Sequence, residues 1–321
     1  MTRALVTGLN GFAGRHLGEA LRLEAIETIG LVRDPAEGGG EGSGFVRGDI
    51  TDRASLERAF AEIRPDWVFH LAGKAYVPES WDKAEEHLRV NLGGTLNVLE
   101  AARRAAPGAR VVLAGSGEVY GFGIESGRAI DETTLCEPAT PYGVSKLAAD
   151  LLGMDYHRRY GSDVVRLRLF NHTGPGQRPD FALPSFARQI ARIEAGLAQP
   201  VLEVGDLEVE RVFTDVRDVA RAYVAAARSG RAGLCYNVGR SPSYRVRHLV
   251  DKLLALSRVR IEVRVDPARV RPGQIASIAC DASRFARDTG WRPEVPIEQT
   301  LQDLMDYWRS NSAHREEPAT P

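Results

Sequence analysis

The sequence has few cysteines and no long apolar run. Only three of its 321 residues are cysteine, and Cys136, Cys235 and Cys280 are widely spaced and form no metal-ligand pair. We therefore expect reduced, structural thiols in a cytoplasmic protein that holds no metal. No segment approaches the roughly 18 consecutive apolar residues of a membrane span, and we expect no signal peptide. The sequence thus argues against disulfide-rich and membrane-spanning classes.

Neither sign of charge is in excess. The chain has 42 lysines and arginines against 43 aspartates and glutamates, a formal net charge of -1. Such a balance gives no broad attraction to nucleic acid or to an anionic membrane, so we expect neither as a partner. Hydrophobic residues make up 43% of the chain, which is enough for one large or two moderate domains.

Short apolar strands alternate with helical segments through the first 170 residues. This alternation predicts an α/β fold with a doubly wound parallel sheet of the Rossmann type. We expect a dinucleotide-binding domain at 1–170, to which elements from about 209–239 return, and mainly a smaller mixed α/β C-terminal substrate domain at 171–321. The predicted strands lie at 4–7, 29–32, 67–71, 110–114, 164–170, 201–204, 209–215 and 236–238. The predicted helices are one that ends near 23 and others at 56–63, 84–105, 142–160, 184–195, 216–227 and 297–309, and a further apolar segment lies at 246–256.

Three glycines directly follow the first strand. Gly8, Gly11 and Gly14 are spaced Gly-x-x-Gly-x-x-Gly, a variant of the Gly-x-Gly-x-x-Gly dinucleotide loop, and Phe12 lies within it. Without Cβ atoms the loop can turn tightly and approach a pyrophosphate, and the following helix offers free N-terminal amides. An ordinary strand-to-helix turn is the alternative, but three glycines at this position favour cofactor binding.

The end of the second strand bears on the identity of the cofactor. An acidic side chain there accepts a hydrogen bond from the ribose 2′-hydroxyl of NAD, whereas an arginine pairs with the 2′-phosphate of NADP. The sequence has Arg33 followed by Asp34, which favours NADP(H) and leaves NAD(H) possible. After the next strand, Asp49 and Ile50 are candidates to contact the adenine. A turn role for Asp49 before Thr51 fits the pattern equally well.

Tyr142 and Lys146 stand four residues apart in a predicted helix. Positions i and i+4 lie on one helix face, so the phenol and the ammonium can point into one site. A nearby cation favours phenolate, so we expect Lys146 to lower the pKa of Tyr142 from its reference value near ~10. This spacing alone is also common on solvated helices. Together with Ser116 at the end of a preceding strand and the nucleotide loop, it indicates a hydride-transfer enzyme.

Five motifs occur in order along nearly the whole chain. They are the Gly8/Gly11/Gly14 loop, 70–73 (His-Leu-Ala-Gly), 90–95 (Val-Asn-Leu-Gly-Gly-Thr), 115–121 (Gly-Ser-Gly-Glu-Val-Tyr-Gly) and Tyr142-x-x-x-Lys146. With them the chain resembles the extended short-chain dehydrogenases/reductases that act on nucleotide sugars. Within that superfamily, the stretches 171–177 (Asn-His-Thr-Gly-Pro-Gly-Gln) and 211–219 resemble the GDP-6-deoxy-4-keto-mannose reductases that make GDP-rhamnose. The GDP-mannose 4,6-dehydratases are the related alternative.

The resemblance implies a role for each catalytic candidate. Tyr142 would donate a proton to the C4 oxygen of a GDP-4-keto-6-deoxy-hexose as hydride arrives from the nicotinamide, and Ser116 would hydrogen-bond that oxygen. Lys146 would lower the phenol pKa and hold the nicotinamide ribose. Asn91, a polar residue in an otherwise apolar helix, is interpreted as a structural residue near the site. The residues expected to pass close to the cofactor after the 67–71 strand, with plain packing as the alternative, are Leu71, Ala72 and Gly73.

Glu118 leaves the reaction open. In the related dehydratases a glutamate two residues after the Ser/Thr position acts as base at C5 of the sugar, and Glu118 stands two residues after Ser116. A reductase needs no such base. The serine at 116 and the 171–177 loop favour reduction over dehydration or epimerisation. The presence of Tyr142 and Lys146 argues against a non-catalytic dinucleotide sensor.

Arginines and helix faces suggest the substrate and subunit contacts. Arg211 and Arg271 are candidates for the diphosphate of the GDP-sugar, because guanidinium forks fit phosphate oxygens, although either could be a surface residue. Asn171 is a candidate for a phosphate or sugar group. The helices at 84–105 and 142–160 are apolar around much of their circumference. The resemblance implies that they form the four-helix interface of a homodimer.

Overall fold

Strands and helices alternate along the chain, whose computed structural model describes residues 2–34, 44–124, 127–270 and 275–312. The strands are β1 (Arg3–Thr7), β2 (Glu27–Val32), β3 (Gly44–Arg47), β4 (Trp67–His70), β5 (Arg110–Ser116), β6 (Val164–Leu169), β7 (His172–Thr173), β8 (Val201–Val204), β9 (Glu210–Arg211), β10 (Thr214–Asp215), β11 (Cys235–Val238), β12 (Tyr244–Arg245) and β13 (Glu262–Val265). The α-helices are α1 (Phe12–Leu23), α2 (Arg53–Ile63), α3 (Ala84–His87), α4 (Gly94–Ala105), α5 (Pro141–Tyr160), α6 (Ala182–Glu194), α7 (Val216–Ser229), α8 (Val246–Ala255), α9 (Ser283–Thr289) and α10 (Ile297–Ser310).

Seven strands form one parallel sheet in the spatial order β3-β2-β1-β4-β5-β6-β11. The central strands are buried on both faces, as expected for a parallel sheet covered by helices. The direction of winding reverses between β1 and β4. Open sheets of this kind bind ligands beyond the carboxyl ends of the strands at such a switch point. The predicted doubly wound Rossmann-type sheet is therefore confirmed.

Helices pack on both faces of the sheet. On one face, Leu17 of α1 and Tyr223 of α7 share a buried cluster with Phe69 of β4. On the other face, Phe60 of α2 and Leu99 of α4 lie in a second buried cluster with residues of β1 and β5. The two clusters hold the strand ends in fixed positions, which is the requirement for a site built from several strands.

The helix predicted at 84–105 is interrupted. A π-helical segment, Leu88–Gly93, separates α3 from α4. Such a wide turn changes which side chains face inward and is frequent at functional sites. Here Asn91 within the segment is buried. The close approach of the next turn requires glycine, since a Cβ on Gly94 would lie 2.7 Å from the Cδ1 atom of Ile50.

The strand predicted at 209–215 is also divided. β9 pairs antiparallel with β12, whereas β10 pairs parallel with β7. The chain therefore changes its partner at 212–213, and one continuous strand cannot satisfy both pairings.

The later part of the chain contributes to two cores. β11 pairs with β6 in the main sheet, and α7 packs on the same face as α1. α6, α8 and α10 enclose a separate cluster with β8 and β13. All three cysteines lie in described ranges and none forms a disulfide. Within those ranges, no helix combines the length and apolar character needed to cross a membrane.

Candidate active site

β5 and α5 bring Ser116 and Tyr142 together. β5 ends at Ser116, and α5 follows Thr140, whose side chain accepts a hydrogen bond from the Gly143 amide at 3.0 Å. A Cβ on Gly143 would lie 2.8 Å from the Glu118 carbonyl oxygen, so glycine permits the turn after β5 to approach α5. Both Ser116 and Tyr142 are buried, and the Ser116 side chain is near enough to the Tyr142 phenol to favour its ionised form. The predicted pair therefore shares one site.

Lys146 lies one helical turn after Tyr142 and faces the ends of β4 and β5. Its ammonium donates a hydrogen bond to the Ala114 carbonyl oxygen at 2.9 Å. A Cβ on Gly73 would be 3.6 Å from the lysine Nζ atom, so the lysine also faces the segment after β4. The three predicted catalytic residues converge next to the switch point of the sheet.

The ionisation of these residues differs from the sequence prediction. Burial raises the pKa of Tyr142 to about 12; the neighbouring Ser116 side chain opposes this increase, and the half-buried Glu118 adds to it. Burial lowers the pKa of Lys146 to about 8. The prediction that Lys146 lowers the phenol pKa is wrong, because loss of hydration dominates and the ammonium is directed to Ala114. The phenol is therefore protonated at pH 7, as a proton donor must be.

A directed chain of hydrogen bonds supports the strand ends. The Ala72 amide donates to Thr7 Oγ1 at 3.1 Å, and Thr95 Oγ1 donates to the Asn91 carbonyl oxygen at 2.6 Å. Each hydroxyl has a single proton, so His70 Nε2 donates to Thr95 Oγ1 at 3.0 Å. The Thr7 hydroxyl then donates to His70 Nδ1 at 2.8 Å. Burial lowers the pKa of His70 to about 3, so its ring is neutral, as this pattern requires.

The Asn91 amide joins the segment after β4 to the catalytic helix. Its Oδ1 atom accepts from the Lys74 amide at 2.8 Å, and its Nδ2 atom donates to the Lys74 carbonyl at 3.1 Å and to Ser145 Oγ at 2.9 Å. Ser145 in turn donates to the Tyr142 carbonyl oxygen at 2.7 Å. The structural role predicted for Asn91 is confirmed. The other side chains in these networks are not predicted from the sequence to have a structural role; they are Thr7, His70, Thr95 and Ser145. Each is a polar residue within an apolar strand or helix, and that pattern could have identified them.

The glycine-rich turn fits a dinucleotide. Gly8 has a φ of 78°, and a Cβ there would lie 2.9 Å from the Ala72 nitrogen. A Cβ on Gly14 would collide with the Gly8 carbonyl oxygen. α1 begins at Phe12 with Gly11 as its N-cap, no side-chain cap and no acidic residue in its first turn. Its N-terminal amides and positive dipole end therefore suit a pyrophosphate.

Residues 71–73 lie against this turn. The Leu71 amide donates to the Thr7 carbonyl oxygen at 3.2 Å, and Ala72 contacts Gly8 as described. Gly73 is exposed, and a Cβ there would lie 2.7 Å from Asn91 Oδ1. The segment thus lies between the glycine-rich turn and the catalytic lysine.

The residues predicted at the adenosine end occupy two neighbouring strand ends. Arg33 is exposed directly after β2. Asp49 Oδ1 accepts hydrogen bonds from the amide and the hydroxyl of Thr51, both at 2.8 Å, so the turn role considered for Asp49 is present. Ile50 is buried against Gly94 of α4.

Within the described ranges, the predicted substrate-binding residues are more exposed than the predicted catalytic serine and tyrosine. Asn171 is exposed, two residues after the end of β6. Arg211 in β9 is half-buried, and its Nη1 atom donates to the Glu210 carbonyl oxygen at 2.8 Å. Arg271 lies outside the described residues.

Comparison with known proteins places this geometry in a family. The family model described as GDP-mannose 4,6 dehydratase matches residues 5–304. A GDP-6-deoxy-D-mannose reductase of Pseudomonas aeruginosa is 38% identical over 96% of this chain and 97% of its own. A dTDP-glucose 4,6-dehydratase of Streptomyces antibioticus is 33% identical over 96% of this chain and 93% of its own. The structure of RMD from Pseudomonas aeruginosa complexed with NADPH is 36% identical, with a TM-score of 0.85 over 97% of this chain and 100% of that chain. The chain therefore belongs to the GDP-mannose 4,6-dehydratase family of extended short-chain dehydrogenases/reductases.

Proposed function

We propose that the protein reduces the C4 ketone of a GDP-4-keto-6-deoxy-hexose to a GDP-6-deoxyhexose of the GDP-rhamnose type. The observation that carries this proposal is the convergence of Ser116, Tyr142 and Lys146 on strand ends beside the glycine-rich turn. The 38% identity with a GDP-6-deoxy-D-mannose reductase supports the choice of substrate.

The side chains suit the charge that develops when a ketone is reduced. The reduced nicotinamide supplies the hydride when it is bound. Tyr142, protonated at pH 7, donates its proton to the C4 oxygen, and Ser116 hydrogen-bonds the same oxygen. Lys146, whose ammonium donates to the Ala114 carbonyl oxygen, would hold the nicotinamide ribose beside this pair. Because these groups are fixed in a buried site, they stabilise the transition state more than the ketone.

NADP(H) is the favoured cofactor, and NAD(H) is the alternative. Gly8, Gly11 and Gly14 would hold the pyrophosphate, and Lys146 the nicotinamide ribose. Arg33 is exposed at the strand end where a 2′-phosphate is bound in such folds. The NADPH complex of RMD from Pseudomonas aeruginosa supports this preference.

The GDP-sugar is held mainly by the C-terminal part of the chain. In this proposal residues 1–170, with the returning elements at 209–239, bind the dinucleotide, and residues 171–321 mainly bind the substrate. Asn171 follows a strand of the main sheet and is free to face a ligand in the cleft. Arg211 and Arg271 supply positive charge for the diphosphate.

Dehydration is the second candidate, because the charge of Glu118 acts on Tyr142. One assay distinguishes the two reactions. With GDP-4-keto-6-deoxy-mannose and NADPH, reduction predicts stoichiometric loss of NADPH absorbance and a 4-hydroxy product. With GDP-mannose alone, a dehydratase forms the keto sugar without net use of cofactor. Keto sugar from GDP-mannose, with no NADPH oxidation in the first mixture, would contradict the proposal.

The protein is proposed to act as a cytoplasmic homodimer. Large apolar side chains are exposed on the two helical segments that the sequence assigns to the interface, at Leu88, Leu96, Val144 and Leu151. A partner with the same two segments would bury them in a four-helix contact. Sedimentation should give a dimer at micromolar concentration, and Leu96→Asp with Leu151→Asp should give a monomer. A wild-type monomer would contradict this arrangement.

A further inference from the structure

His87 is an unusual histidine because it is buried without a hydrogen bond. Its side chain is fully inaccessible, and neither ring nitrogen has a hydrogen-bond partner among the described residues. Buried polar groups are nearly always paired, and leaving one unpaired destabilises a protein. By contrast, both nitrogens of the buried His70 are hydrogen-bonded. A role beyond packing would explain why such a residue is tolerated.

The ring of His87 lies against the catalytic phenol. The centroids of His87 and Tyr142 are 6.1 Å apart and their planes are at 89°, an edge-to-face contact. The backbone of Tyr142 is held separately, through Ser145 and Asn91. These hydrogen bonds do not restrict the side-chain torsion angles of Tyr142, which therefore depend on the side chains packed against its ring. His87 is therefore placed to set the direction of the phenol.

Charged groups surround the imidazole on its other sides. Its Nε2 atom is 3.9 Å from Glu79 Oε2, beyond hydrogen-bond distance. The same oxygen is 3.5 Å from Lys74 Nζ, which also binds Glu86 Oε2 at 2.6 Å. Lys146 is the further cation that acts on the ring.

The neutral ring is the resting state. Burial, then Lys74, lowers the pKa of His87, while Glu79 and Glu86 oppose that decrease. Protonation at acidic pH would create an imidazolium within reach of the Glu79 carboxylate, which at present pairs with Lys74 and Lys83. A small movement of the ring would complete that ion pair.

We propose that His87 is a positioning residue for Tyr142, whose neutral imidazole holds the phenol in its reactive direction and whose protonation toward Glu79 releases it. The proposal rests on the proposed ketone reduction. It accounts for both the perpendicular ring contact and the unpaired nitrogens.

The test is the pH dependence of kcat for NADPH oxidation with GDP-4-keto-6-deoxy-mannose. The wild-type protein should lose activity with a midpoint below the ordinary imidazole pKa of about 6.5. His87→Phe keeps a ring against Tyr142 but cannot be protonated, so this acid limb should disappear. His87→Ala removes the ring, and at pH 7.5 kcat should fall about tenfold while KM changes less than about twofold.

Two further variants test the charge linkage with His87 in place. Lys74→Met removes a cation and should move the midpoint to higher pH, whereas Glu79→Gln removes an anion and should move it to lower pH. If His87→Phe does not fold, as judged by its melting temperature, the pH midpoints of Lys74→Met and Glu79→Gln test the proposal instead. An unchanged acid limb in His87→Phe, or no shift in either charge variant, would overturn the positioning role. A wild-type protein that oxidises no NADPH would instead contradict the proposed function.

Discussion

The proposed catalytic and substrate-binding regions are built differently. Ser116, Tyr142 and Lys146 lie on a buried strand end and the first turns of a helix, and Asn91 holds that helix by hydrogen bonds. Of the described candidates for substrate binding, Asn171 lies in a loop and Arg211 lies on a short strand, where it donates to a backbone carbonyl. The fold thus holds the proposed catalytic side chains in place, whereas the proposed recognition of the substrate depends on side chains in loops and short strands. Changes in the first region should lower kcat, and changes in the second should raise KM.

The largest effect is expected from Tyr142→Phe. The variant removes the proton donor but keeps the aromatic ring, so kcat should fall by at least about a thousandfold, within the range of general acid catalysis. NADPH oxidation measures the loss, and NADPH titration by fluorescence is the control, since its dissociation constant should not change. Activity near the wild-type level would remove Tyr142 from the mechanism.

Ser116→Ala tests the second group at the carbonyl. Loss of one donor to a developing oxyanion should reduce kcat by about a hundredfold to a thousandfold. Ser116→Thr retains the hydroxyl and serves as the matched control. Equal activity of the alanine and threonine variants would show that the hydroxyl of Ser116 does not act on the substrate.

Asn91→Ala tests whether the support of the catalytic helix matters. The change removes bonds to Lys74 and Ser145, so kcat should fall about tenfold or more, together with a loss of about 1–3 kcal/mol in unfolding free energy. The control is Asn97→Ala, assayed at saturating NADPH, which removes a 2.9 Å bond to the carbonyl of Ile50 at the predicted adenosine end and leaves the bonds to Lys74 and Ser145 in place. The Asn97→Ala variant should be less stable than the wild-type protein but have the same kcat. Similar kinetic losses in both variants would indicate a general structural effect.

The pH dependence should report Lys146. Because burial lowers its pKa to about 8, the ammonium loses its proton as the pH rises through 8, and kcat/KM should decline about tenfold per unit above that value. Tyr142, with a pKa of about 12, remains protonated over this range. Lys146→Arg keeps its charge, so an active arginine variant should lack the decline. The same alkaline midpoint in that variant would assign the limb to another group.

The smallest kinetic effect is expected from a change in the proposed substrate-binding region. Arg211→Ala should raise KM for the GDP-sugar about fivefold, since a partly exposed charge contact is worth up to about 1 kcal/mol. kcat should change less than about twofold. Arg247→Ala, which removes an exposed pair with Glu208, is the matched control and should leave KM unaltered. A loss in kcat without a rise in KM would assign Arg211 to the catalytic region and would contradict the distinction between the two regions.

Local spacing is sufficient to predict the sheet and the shared helix face of Tyr142 and Lys146. The glycine-rich turn requires close backbone approach, and Tyr142 and Lys146 share a helix face, so both follow from nearby residues. Burial depends on distant segments, and for that reason local spacing does not predict that the pKa of Tyr142 is raised rather than lowered. The π-helical segment that buries Asn91 likewise follows from packing between elements.

A crystal structure with NADP+ and the reduced GDP-6-deoxyhexose would test the central claim most directly. The C4 oxygen of the sugar should lie about 2.6–3.2 Å from both the Ser116 hydroxyl and the Tyr142 phenol, with the sugar C4 atom facing the nicotinamide. A sugar bound with its C4 oxygen distant from both groups would contradict that claim.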